Sequence, residues 1–217
     1  MPEIDHIVSH DNFASNYDNQ AKEYHSHGHD VLFGMCYEYL SSNSTLLDLG
    51  IGTGLSSANF AKAGLKIIGL DGSAGMLHEC EKKDFACELQ QYDITNVPYP
   101  FNEASFTIVI CCSVFHFFAD FNNIVKESHR LLDNSGILAF TIAAMQDYDF
   151  KKDDNPPLFI KTPTVWGIPI YKHSDRYINE IAETAGFSIL KEQKLLIDGG
   201  DESNPDLLFK AIVMQKV

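Results

Sequence analysis

The stretch "LLDLGIGTGLSS", Leu46 to Ser57, limits what this chain can fold into more than any other. An apolar run this short, closed by glycine, reads as a buried strand. It opens directly into Gly50, Gly52 and Gly54, a backbone bare enough for a ligand to come close. The rhythm then continues. "LSSANFAKAG" reads as a helix closed by Gly64, "LKIIGLD" as a second strand, and "GSAGMLHECEKKD" as a helix with Ser73 as N-cap. "FACELQQYD" holds a third strand and "SFTIVICCS" a β-branched fourth. "FNNIVKESHRLLDNSG" is an amphipathic helix ending at Asn134–Gly136, and "ILAFTIAA" is a fifth strand. Strands alternating with helices predict a parallel sheet with helices on both faces. In such sheets ligands bind beyond the carboxyl ends of the strands.

The two ends of the chain break the rhythm. "ASNYDNQAKEYHSHGHDVLFGMCYEYL" reads as helix in two pieces, interrupted near His27 and Gly28. After Ala144, "MQDYDFKKDDNPPLFIKTPTVWGIPIYKH" is rich in proline and aromatics and longer than an ordinary connection. A helix "SDRYINEIAETAG" and two strands, "FSILKEQKLLID" and "DLLFKAIVMQKV", close the chain; "GGDESNP" would join the strands as an antiparallel hairpin. The predicted fold is therefore α/β. It has a doubly wound, mostly parallel seven-stranded sheet with helices on both faces, a C-terminal antiparallel hairpin and an N-terminal helical cap. With no repeat, low-complexity tract or linker, the 217 residues read as one domain: cap 1–41, core 45–144, insertion 145–173, and helix with hairpin 174–217.

Composition narrows the partners. A formal charge of −14 opposes a nucleic-acid partner, which requires clustered Lys and Arg. No apolar run approaches the ~20 residues that span a bilayer, so no membrane partner is expected. The polar, acidic opening "MPEIDHIVSHDNFASNYD" has the character of neither a signal nor a transit peptide, and a cytoplasmic protein is expected. Cys36, Cys80, Cys87, Cys111 and Cys112 lack metal-binding spacing and read as buried reduced thiols. "NST" at Asn43 matches a glycosylation sequon by pattern only.

Three ligands compete for the glycine loop. A phosphate-binding Walker loop requires lysine beside its last glycine, and here none appears before Lys62. A dinucleotide fold wants a third glycine where Leu55 stands, which weakens that reading without removing it. S-adenosylmethionine asks less, because it has no pyrophosphate to cradle. "LLDLG" followed by G-x-G-x-G resembles the first motif of the class I (Rossmann-like) S-adenosylmethionine-dependent methyltransferases. "IIGLDGS", "QYDIT", "NVPYPFNEASFTIVICCSVFHFF" and "ESHRLLDNSGILAFT" resemble its later segments in the same order. The nearest pattern is the small-molecule branch related to the ubiquinone/menaquinone-biosynthesis methyltransferases. The chain departs from the family at "DNSG", where Pro-Gly-Gly is usual, and at Ser105-Phe106, where many members have Phe-Asp.

The resemblance implies S-adenosylmethionine as cofactor and direct in-line transfer to a small-molecule acceptor. It implies ribose binding by Asp71, adenine binding by Asp93 with Ile94 against the ring, and Tyr17 at the methionine end. It also assigns Asp48, Gly50, Gly52, Gly54, Gly72, Ser73, Met76, Cys112 and Ser113 to the cofactor. Such transfer needs no metal or covalent nucleophile; holding the reactants about 3–3.5 Å apart is most of the work. His116 is the candidate general base, against the simpler reading of a pocket wall, and His173 is a further candidate. His25, His27 and His29 are spaced around a helix rather than on one face, which favours a surface role over a metal site. Asn155-Pro156-Pro157 resembles a nucleobase-methyltransferase motif but follows the fifth strand instead of the fourth. Tyr148, Phe150, Phe159, Trp166 and Tyr171 of the insertion are expected to line an apolar acceptor pocket with the N-terminal helices. A non-catalytic cofactor-binding or regulatory protein of the same fold is the alternative, with a nicotinamide oxidoreductase behind it.

Overall fold

The structure, a computed structural model, describes residues 6–42, 44–150, 157–164, 167–197 and 207–217. The predicted strands are β1 (Thr45–Leu49), β2 (Lys66–Asp71), β3 (Glu88–Gln91), β4 (Phe106–Cys111) and β5 (Leu132–Ala144). They pair in parallel in the order β3-β2-β1-β4-β5. Their side chains alternate between two cores. Leu47, Val109, Leu138 and Phe140 meet α6 (Asn122–Leu131) and α7 (Asp175–Ala185) on one face. Leu46, Ile108, Ile110 and Ala139 meet α3 (Gly28–Cys36) and α4 (Ser57–Lys62) on the other. A parallel sheet buried on both faces explains why these strands read as continuous apolar runs. The helix after β2, α5 (Ala74–Glu81), starts as predicted, with the Ser73 hydroxyl accepting from Met76 N at 3.1 Å.

The C-terminal strands, β8 (Phe187–Ile197) and β9 (Leu207–Lys216), pair antiparallel, and β9 runs antiparallel along β5. The predicted connecting loop and Asn155-Pro156 lie outside the described residues.

Among the described residues the sheet has nine strands where the sequence predicts seven. The two extra strands, β6 (Phe159–Thr162) and β7 (Ile170–His173), come from the insertion that reads as loop. Each has four residues, too few to display a period. They exist because β7 finds open backbone on β5, pairing Ala143 with Lys172 and Ala144 with His173. Ala143 also pairs with Phe209, so β7 and β9 flank it on opposite edges. β7 therefore takes the edge of β5 that β4 leaves after Cys111. Lys172 is buried there, against Asp149 at 2.8 Å.

Two boundaries shift. Helix α6 ends at Leu131, not at the predicted Asn134–Gly136. Phe106 pairs with Leu132 and Ile108 with Ile137, so Asp133–Gly136 bulge out between paired residues, with Ser135 at φ 62. At the N-terminus, the break near His27 is present, but the cap divides by function. Helix α3 belongs to the core, burying Leu32 and Cys36. Helix α1 (His6–Phe13), the 3₁₀ turn Ala14–Asn16 and α2 (Tyr17–Glu23) reach over the strand ends, joined there by His29 at the start of α3. Of the five cysteines, Cys87 is exposed and the other four are buried.

Candidate functional site

The helices after β1 and β2 lie on one face of the sheet and α6 on the other, so a cleft opens at the carboxyl ends of β1, β2 and β4. This first pocket, about 900 Å³ with its open mouth, is lined by the loop Gly50–Thr53, by Asp71–Ser73 and by Asp93 and Ile94. The loop is held from below. Gly50 N and Ile51 N donate to Leu70 O at 2.8 and 3.0 Å, and Gly52 N donates to Asp71 Oδ2 at 2.7 Å. Gly50 sits at φ 77, and a Cβ there would stand 2.6 Å from the Val114 side chain. Asp71 Oδ1 accepts from Ser73 N at 2.8 Å. Burial raises the Asp71 carboxyl above its ordinary range, and the two backbone N–H groups oppose that rise.

Of the residues predicted for the cofactor, Tyr17, Gly50, Gly52, Asp71, Gly72, Ser73, Met76, Asp93, Ile94, Cys112 and Ser113 line this pocket. Asp48 and Gly54 do not. Asp48 lies buried beneath the loop, where Oδ2 accepts from Ser57 Oγ at 2.6 Å, anchoring the start of α4. Its Oδ1 has no partner among the described residues, and burial pushes the carboxyl up to about 7. Gly54 faces α5, where a Cβ would collide with Phe85 and Cys80, so its role is close packing.

The sequence predicts an N-terminal cap but does not name the α1 residues that form its roof. His6, Ile7 and His10 of α1 line the first pocket beside Tyr17 and Ala21 of α2. Two carboxylates fasten this roof to the core. Asp11 accepts from Ser73 Oγ at 2.7 Å and Gly75 N at 2.6 Å; Asp18 accepts from Thr53 Oγ1 and from Lys83 Nζ, both at 2.6 Å. The Gly75 N–H, then the Ser73 hydroxyl, hold Asp11 below the usual carboxylate range. For Asp18, burial acts upward, but Lys83 and Thr53 outweigh it and the net shift is downward. Nothing in the local pattern marks these residues; only the i, i+4 spacing of His6 and His10 hints at a shared helical face.

A second pocket adjoins the first, about 890 Å³ with its open mouth. His10, Tyr17, Ser113 and Phe117 line both. Ser113 holds φ 59, rare for a residue with a side chain, and its N–H donates to Thr141 Oγ1 at 2.7 Å. His10 Nδ1 donates to His6 O at 2.6 Å, which leaves Nε2 of the neutral ring as an acceptor. Burial raises Tyr17 far above the ordinary phenol range, so it stays protonated.

His116 lies in the second pocket, not the first, packed against Phe117 and Phe209. Burial pushes it down to about 3, which suits a neutral hydrogen-bonding group and not a proton store. His173 lies at neither pocket. It is buried, with Nε2 donating to Phe118 O at 3.0 Å, and it locks β7 to the turn after β4. Of the three clustered histidines, His29 lines the first pocket, while His25 and His27 face each other at 6.4 Å between ring centroids. Among its described residues the insertion contributes Ile168 and Ile170 to the second pocket, and not Tyr148, Phe150, Phe159 or Tyr171. Tyr148 is exposed, Phe159 and Tyr171 pack against each other, and Trp166 lies outside the described residues.

Residues 47–140 match a family profile described as a methyltransferase domain. Among curated protein sequences nothing matches the chain. Solved structures share the fold. An S-adenosylmethionine-dependent methyltransferase from Methanosarcina mazei is 16% identical, with a TM-score of 0.67 over 84% of this chain and 97% of that one. The 1,6-didemethyltoxoflavin-N1-methyltransferase of Burkholderia thailandensis, bound to 1,6-didemethyltoxoflavin and S-adenosylhomocysteine, is 14% identical, with a TM-score of 0.68 over 97% and 88%. The magnesium protoporphyrin IX methyltransferase of Synechocystis PCC 6803, with bound S-adenosylhomocysteine, is 16% identical, with a TM-score of 0.67 over 97% and 98%. The chain thus shares the fold of these S-adenosylmethionine-dependent methyltransferases, and the methyltransferase-domain profile matches its core from β1 into β5. No helix among the described residues is long and apolar enough to cross a membrane.

Proposed function

We propose that this protein transfers the methyl group of S-adenosylmethionine to a small-molecule acceptor seated in the second pocket. This places it with the small-molecule branch its sequence resembles, acting in the cytoplasm and not on nucleic acid. The observation that carries the reading is the shared wall: His10, Tyr17, Ser113 and Phe117 line both pockets, so a donor in one would face an acceptor in the other. Two neighbours named for small ring compounds, a didemethyltoxoflavin and a magnesium porphyrin, support the same class of acceptor.

The residues present fit the cofactor. Each Asp71 oxygen spends one lone pair on a backbone N–H and keeps another for a ribose hydroxyl. Asp93 Oδ1 accepts from Thr95 N and Oγ1, leaving Oδ2 to accept from the adenine amino group. Buried Ile94 and Met76 would flank the adenosine, and Gly50, Gly52, Gly72, Ser73 and Cys112 would bring backbone against it. When bound, the cofactor supplies an electrophilic methyl on a sulfonium. The chain's part is positioning: α1 and α2 exclude water from the cleft, and Tyr17 and Ser113 orient the two reactants. A protic acceptor would lose its proton to His10, which lines both pockets, with His116 steadying the acceptor. A binding protein without turnover would have no use for the second pocket.

The test is selective stabilisation. S-adenosylmethionine and S-adenosylhomocysteine should stabilise the protein by about 2.7 kcal/mol at 100 times Kd and so raise its melting temperature, and NAD and ATP should not. A response to NAD with none to either sulfur nucleoside would overturn the assignment.

A further inference from the structure

The two pockets divide the protein's charge unevenly. The chain has 30 Asp and Glu and 16 Lys and Arg, and Asp71 and Asp93 line the first pocket. Among the described residues, no Asp, Glu, Lys or Arg lines the second. Its far wall is apolar: Ile168 and Ile170 from the insertion, Ile197 at the end of β8, and Leu207 and Phe209 at the start of β9. Three separate segments converge there. Ile168, Ile197 and Leu207 stay partly exposed, apolar surface that a bound molecule would cover.

One polar group interrupts this wall. His116 makes no hydrogen bond among the described residues, and its Nδ1 is sealed from solvent with no partner. A neutral imidazole carries its hydrogen on one nitrogen. Nδ1 is unpaired in either tautomer, and a buried unpaired N–H is rarer than a buried unpaired acceptor, which assigns the hydrogen to the ring's other nitrogen, Nε2. His173 behaves the same way, with Nε2 donating to Phe118 O and Nδ1 unpartnered. His116 thus offers the pocket a donor without adding charge. Its depressed basicity keeps it neutral throughout the physiological range.

We infer that the second pocket takes an uncharged molecule with an apolar body, and that His116 Nε2 donates a hydrogen bond to an oxygen on it. This rests on the methyltransferase reading and narrows its acceptor class: a charged acceptor would leave water and find no Asp, Glu, Lys or Arg among the described residues that line the pocket.

The experiment uses the full chain loaded with S-adenosylhomocysteine, whose binding is first measured by calorimetry. Four matched probes are then compared by ligand-observed NMR: tryptophol, 3-methylindole, indole-3-acetate and tryptamine. Tryptophol should bind at least about tenfold more tightly than the anion or the cation, because neither charge finds an Asp, Glu, Lys or Arg among those lining residues. His116→Phe should lower tryptophol affinity towards that of 3-methylindole, and His116→Gln, which keeps an N–H donor, should recover part of it. Equal binding of either charged probe by the wild-type protein overturns the inference, as does failure of tryptophol to bind. An undiminished tryptophol affinity in His116→Phe overturns the role of His116. Failure of S-adenosylhomocysteine itself to bind would instead defeat the parent reading.

Discussion

Asp71 serves two partners. Its oxygens hold Gly52 N and Ser73 N, and their remaining lone pairs are proposed to take the ribose. Each charge-assisted bond contributes about 1.5–3 kcal/mol, less where water substitutes. Asp71→Ala should therefore weaken cofactor binding by roughly 2–4 kcal/mol, about 30- to 1000-fold by calorimetry. Unchanged affinity would remove the ribose role. Asp48 makes a different prediction, because its folded-state pKa is raised to about 7 from an ordinary 3.8. The native state then binds more protons than the unfolded one between those values, so this group's stabilisation is full below pH 3.8 and is lost as pH rises to 7. Relative to Asp48→Asn, the wild-type protein should lose stability over that window, by up to about 4 kcal/mol at 1.36 kcal/mol per unit. Parallel urea midpoints for the two proteins would refute it. Asp71 and Asp93 were both legible in the sequence because each closes a readable strand. His10 was not, because its role depends on a hydrogen bond to His6 and on where α1 lands.

At the scale of elements, the roof and the sheet obey different rules. The strands need only their own alternation and neighbours. The roof is a short α1, a 3₁₀ turn and a seven-residue α2, below the length at which helices are stable alone. It is held by tertiary bonds, chiefly Asp11 to the start of α5 and Asp18 to Thr53 and Lys83. Asp18→Asn should weaken cofactor binding roughly two- to fivefold, mainly through faster release, since a part-exposed ion pair is worth only about 0.2–1 kcal/mol. Raising salt should act in the same direction on the wild-type protein. Stopped-flow displacement with an unaltered off-rate would show that the roof does not hold the cofactor in. The missed β6 and β7 teach the same lesson. Four residues each, they are strands because β5 offers them an edge, not because "FIKT" or "IYKH" favours one.

For the whole molecule, the arrangement of one core and a fastened roof predicts a pattern of amide exchange. Adding S-adenosylhomocysteine should raise protection in Gly50–Gly54, around Asp71 and Asp93, and across Tyr17–Ala21, while α7 and β9 stay as they were. Identical exchange in Tyr17–Ala21 with and without ligand would separate the roof from the cofactor site. The sequence by itself determined the doubly wound sheet, its two buried faces, the glycine loop, the acid that ends β2 and the acid just after β3. Each is written in contiguous residues: short apolar runs, a glycine where φ turns positive, an acid at a strand end. Only the tertiary structure decided the second pocket. Its wall joins residues as far apart as His10, His116, Ile170 and Phe209, and a branched apolar side chain at a strand end looks the same whether it faces a core or a cavity. What makes it a cavity is that α2, the turn Phe115–Phe117 and the hairpin ends meet there without filling the space between them.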